Sequence, residues 1–163
     1  MRTSLEQHLG SRQVGRVVYG AIIGLALTVA IENHPPRHGV MAVWLLGTAL
    51  AVGLAEVYSE VVGTETSTRR PVSRPQLGHM AEDALAVGFG VAFPAVFFLL
   101  SALTLMDVDR AFSIAKWTGL GLIGFYGFWA ARFAGAAPHR ALIKGLLVAL
   151  IGAGLILLKS LVH

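Results

Sequence analysis

The sequence predicts an all-α fold, an integral membrane bundle of five transmembrane helices in one domain. Three observations predict it. Of 163 residues, 55% are hydrophobic and only 13% are charged, against roughly 25% charged in an ordinary soluble domain. The apolar residues gather into long runs, each near the roughly 20 residues of helix that cross a hydrocarbon layer. Nineteen glycines are present, and Gly is more frequent in membrane helices than in soluble ones. Backbone groups in lipid must be satisfied within their own segment, so the runs read as helices.

Residues 1–13 lack the apolar core and small-residue cleavage site of a signal peptide. The first run, about 14–31, is therefore expected to stay as a span; it contains Gly20 and Gly24, a GxxxG pair. The second, about 40–62, follows the break at Pro35 and Pro36. The third, about 81–105, should kink at Pro94, whose ring removes a backbone hydrogen bond. The fourth covers about 111–133, with Asp107 and Asp109 before it as N-cap candidates. The fifth covers about 141–162. Gly121, Gly124 and Gly127 form a stripe on the fourth span, and Gly145, Gly152 and Gly154 lie on the fifth. Small residues let helix backbones approach in lipid, so these glycines are read as packing faces. For Gly20 and Gly24 the sharper alternative is a homodimer through the first span. Trp44, Trp117 and Trp129 suit interfacial or packing positions.

Lys and Arg set the orientation. Arg2, Arg12, Arg16, Arg69, Arg70, Arg74, Arg132, Arg140 and Lys144 fall on one side, and Arg37, Arg110, Lys116 and Lys159 on the other. The richer side is expected to be cytoplasmic. That places the N-terminus inside and the C-terminus outside a plasma membrane. The net charge of +4 is thus a property of loops, and nucleic acid is not expected as a partner; lipid is. Cysteine is absent, which excludes disulfides and thiolate metal sites.

Ionisable residues inside a span are functional candidates by default. The stretch AVGLAEVYSEVVGTE places Glu56 and Glu60 four residues apart, on one helix face, with Ser59 beside them. Two such carboxylates can share a proton or bind a hard divalent cation. Without a ligand, Glu60 is simply solvated near the boundary. His79, Glu82 and Asp83 open the third span, and imidazole with carboxylate suits iron, manganese or zinc. Acids in a first helical turn also favour the macrodipole with no ligand at all. Glu65 lies on the same side, so the metal candidates are Glu56, Glu60, Glu65, His79, Glu82 and Asp83. Glu32, His34 and His38 flank the outer Pro-Pro turn as an exit vestibule or a plain polar turn. No nucleotide-binding loop, Ser/His/Asp set or HExxH motif is present. An enzyme is not expected.

The order of spans, the cytoplasmic N-terminus and the second-span motif resemble the vacuolar iron transporter family. Members open the first span with a segment like FGANDG, and here Val18-Tyr19-Gly20-Ala21-Ile22-Ile23-Gly24 stands in a similar place. Their second span ends in a stretch like SMAxGEYxSxxSQxE, on which Glu56, Ser59 and Glu65 match the Glu, Ser and final Glu. The last span, from Gly145 to Gly152, is also similar. The chain resembles a short, divergent member. Ile23 stands at the family's first-span acid and Val52 at its second-span methionine. The link 63–76 replaces the family's Glu-rich cytoplasmic metal-binding domain. The resemblance implies a homodimer with first spans near the two-fold axis, and export of divalent metal in exchange for protons. Two functions are therefore expected in competition. One is a transporter of Fe²⁺ or Mn²⁺ using Glu56. The other is a membrane protein of this fold that does not transport and serves as a scaffold or partner.

Overall fold

A computed structural model describes residues 13–32, 34–36, 39–103 and 105–162. Arg2, Arg12, Arg37 and His38 lie outside them. The described chain is helical and contains no strand. Its helices are α1 (Gln13–Ile31), α2 (Val40–Thr68), α3 (Arg74–Ala92), α4 (Ala95–Ala102), α5 (Val108–Phe133) and α6 (Pro138–Val162). The expected spans map onto these elements in order, the third onto α3 and α4 together. Pro94 sits at the break between those two, which bend by 49°. Its ring nitrogen has no N–H to donate to the helical ladder, and the chain turns there.

Among the described residues three helices are long and apolar enough to cross a membrane: α1, α2 and the Pro138–Leu158 portion of α6. The bent pair α3–α4 makes a fourth if it counts as one span. This composition is compatible with a membrane protein. The expected fourth span, α5, is equally long but less apolar. It carries Asp109, Arg110 and Lys116 in its first third, and four glycines interrupt its middle. Asp107 is its N-cap residue, as expected, although its side chain makes no capping hydrogen bond; it lies 3.6 Å from Arg110.

Helix α1 is the central post, packing on α3, α5, α6 and α2. Its glycines explain the closest of these contacts. A Cβ on Gly20 would overlap the carbonyl oxygen of Val87, and one on Gly24 would stand 2.7 Å from that of Val91. Gly90 answers from α3, where a Cβ would strike Val17 and Ala21 backbone atoms. The GxxxG pair thus joins α1 to α3 inside the chain. Gly127 and Gly145 do the same between α5 and α6, whereas Gly121 and Gly154 face open space. Leu25, Val29 and Ile123 fill the centre. Met41, Leu45, Phe98 and Phe112 fill the end near the α1–α2 and α4–α5 links, with Phe98 and Phe112 edge to face at 4.8 Å. Outward faces are strongly apolar: Leu50, Leu54, Tyr58, Leu85 and Trp117 are all exposed.

Candidate functional site

The site follows from helix register. α1 and α3 run parallel, so the spacing that sets Gly20 against Val87 and Gly24 against Val91 also sets Arg16 beside Asp83. α2 runs back antiparallel and presents Glu56 and Glu60 from one face. The Arg16 guanidinium closes the group. Its Nη1 pairs with Glu56 Oε1, its Nη2 donates to Glu60 Oε1, and Nη2 lies 3.7 Å from Asp83 Oδ2. All four side chains are largely buried, with Glu56 the deepest at 15% exposed and Arg16 the least at 28%. Arginine suits this place because its planar fork serves two carboxylates at once. Glu60 and Asp83 also line an open polar cavity of about 420 Å³ between the end of α2 and the start of α3. Gly63, Thr64, Ser67, Gln76, His79 and Met80 complete its wall.

Half of the sequence candidates therefore converge and half do not. Glu56, Glu60 and Asp83 meet at Arg16. His79 Nδ1 and Glu82 Oε2 are 3.5 Å apart on the outside of α3, with side chains 81% and 60% exposed. Glu65 accepts the Val72 backbone N–H at 3.1 Å and so ties the α2–α3 link to α2. Among the described residues no group of three or more His, Asp or Glu side chains is arranged to hold a metal ion. In the sequence Arg16 reads only as a topological charge. It lies just inside the first apolar run, and a cation there calls for a buried partner. That was the available signal.

Comparison with protein-family models, with curated proteins and with solved structures found no match.

Two positions taken from the resemblance gain a structural meaning of their own. Ile23 on α1 and Val52 on α2 both pack against the cluster of Ala49, Val87 and Val91. The level of the bundle one to two turns deeper than Arg16 is thus apolar. At the opposite end, Lys116 on α5 donates to Glu32 just beyond α1, both side chains being mostly buried. This pair removes the cost of a bare cation on α5. Charge clusters therefore sit at both ends of the bundle, with an apolar middle between them.

Proposed function

We propose that the chain is an integral membrane protein of five spans that transports a divalent metal ion, iron or manganese, in exchange for protons. Glu56 is the buried ligand or proton carrier in this reading. One observation carries it: three carboxylates converge on a single guanidinium, beside a cavity open to one side. Among the described residues this leaves two formal negative charges unmatched, the charge of one divalent ion or two protons. Oxygen donors accept Fe²⁺ and Mn²⁺. Arg16 serves as the internal counter-ion that holds the carboxylates together when no metal is bound. α5 counts as the fourth span because its length, about 39 Å by helical rise, runs against both α1 and α6. The Arg-rich end faces the cytoplasm of a cell bounded by this membrane. A homodimer through the first span would use the outward side of α1 at Gly15 and Tyr19, since Gly20 and Gly24 already meet α3.

The test is Mn²⁺ flux into proteoliposomes. Glu56→Gln is expected to abolish it, and undiminished flux in that variant rejects the reading. A second reading is a scaffold that does not transport. Its support is that Arg16 already neutralises part of the cluster and that Ile23 and Val52 pack against apolar neighbours. Folded wild-type protein that moves neither metal nor protons would favour it.

A further inference from the structure

At the end of the bundle away from Arg16, the starts of α2 and α5 both pack on α4. Each begins without a side-chain cap. Gly39, the N-cap residue of α2, has no side chain to offer, and Asp107, at the same place on α5, makes no capping hydrogen bond. The two ladders start with Val43 N–H donating to the Gly39 carbonyl and Ala111 N–H to the Asp107 carbonyl. The N–H groups of the three residues before Val43 and before Ala111 therefore have no acceptor inside their own helices. Gly39 has a φ of 81°, which glycine adopts at no steric cost. A Cβ on it would lie 3.4 Å from the Ala102 side chain, so the start of α2 is held close to α4.

A buried hydroxyl joins the two starts. Ser101 on α4 is 2% exposed. Among the described residues its Oγ is the buried side-chain polar atom with no hydrogen-bond partner. Thr28, the other buried hydroxyl, donates to the Gly24 carbonyl one turn back at 2.8 Å, and Ser101 makes no such bond. Ser101 lines a small cavity together with Gly39, Met41, Phe98, Val108 and Phe112. Met41 and Val108 belong to the first turns of α2 and α5. The cavity gives the centre of a water molecule about 10 Å³ of room, and one water needs roughly 10–15 Å³. Buried cavities that stay dry are apolar, whereas this one has a hydroxyl and two helix starts in its wall.

We propose that this cavity binds one ordered water. The water donates to Ser101 Oγ and accepts from free N–H groups at the starts of α2 and α5. The partial positive charge at both helix N-termini favours its oxygen there, and three partners are usual for a buried water. It ties α2, α4 and α5 together without a charged side chain. The site does not depend on the transport reading, and its test involves no flux.

The test uses the full chain labelled with ¹⁵N-methionine in detergent micelles. Four methionines are present, and Met41 is buried. The Met41 amide should show a cross-peak to the water line with the sign of a dipolar contact, not of exchange. Ser101→Ala removes the hydroxyl proton as a relay and should weaken this contact without abolishing it. Ser101→Val fills the cavity and should abolish it. Ser101→Val should also lower the thermal unfolding midpoint by roughly 2–4 °C, the scale of one lost hydrogen bond in a chain of this size. No dipolar contact at Met41 in the wild type overturns the proposal, as does one that survives Ser101→Val or is already lost in Ser101→Ala. A midpoint raised by Ser101→Val would show a dry cavity made better by filling and also overturns it. A halide is the competing occupant. A wild-type midpoint that climbs when chloride replaces gluconate at fixed ionic strength, with no such climb in Ser101→Val, would assign the cavity to the anion instead.

Discussion

Arg16 sets the charge balance at its end of the bundle, because three helices contribute carboxylates or a cation to one place and, among the described residues, Arg16 is the cation that joins them. Removing it leaves Glu56, Glu60 and Asp83 facing one another in a partly desolvated site. Arg16→Gln is expected to destabilise the protein by about 1–3 kcal/mol, the range for losing a partly buried charge-assisted contact. Arg16→Lys should fall between, since an ammonium is a point charge and cannot fork between two carboxylates. Thermal unfolding in detergent measures both, and an unchanged midpoint for Arg16→Gln would show that the cluster is held by packing alone. His79→Ala provides the contrast. Its pair with Glu82 is exposed, a class of ion pair worth little, so its unfolding midpoint should not move. Glu65 carries a different lesson. The second-span motif singles it out, yet its carboxylate serves the backbone of Val72.

At the scale of the helix pair, glycine is required only where backbones meet. Gly20 touches the Val87 carbonyl and Gly24 approaches that of Val91. A methyl at Gly20 must push α1 away from α3, and this would also pull Arg16 from Asp83. Gly20→Ala should therefore cost about 1–3 kcal/mol or more, as overpacking does. Gly121→Ala should be neutral or slightly stabilising, because nothing lies within 4 Å of the added Cβ and Ala favours the helix. Denaturant titration of the two variants separates them, and similar losses would contradict the register of α1 on α3. Both glycine stripes look alike as patterns. Spacing alone does not say which glycine faces a neighbour and which faces lipid.

Over the whole molecule the chain alternates ends. The start of α1, the end of α2, the start of α3, the end of α5 and the start of α6 share one end, as the α1–α3 and α5–α6 contacts require. Absence of cysteine makes this testable without background. Single cysteines at Ser67 and Gly135 should label from the same side of the membrane, and one at His34 from the other. Labelling of Ser67 and His34 from one side would break the alternation. Accessibility of Ser67 and Gly135 from the cytoplasm would further support the orientation expected from the arginines. The same arrangement places an apolar layer, with Ile23 and Val52, between two charged ends. An ion crossing the bundle would have to pass that layer.

The sequence by itself determined the helical class, the order of the helices and the break at Pro94, but not that α2 runs on to Thr68 or that α3 begins at Arg74. Each of these depends on local properties: run length, hydropathy and a missing backbone donor. It also pointed to Glu56 and Glu60, because four residues of helix place two side chains on one face. Only the tertiary structure decided that Asp83 joins them while Glu65, His79 and Glu82 do not, and that Arg16 stands at the centre. That choice depends on the parallel register of α1 against α3, which Gly20, Gly24 and Gly90 fix by backbone contact between distant parts of the chain. The same contacts decided the use of the GxxxG pair. A pattern of small residues states that something packs there, and three-dimensional register states what.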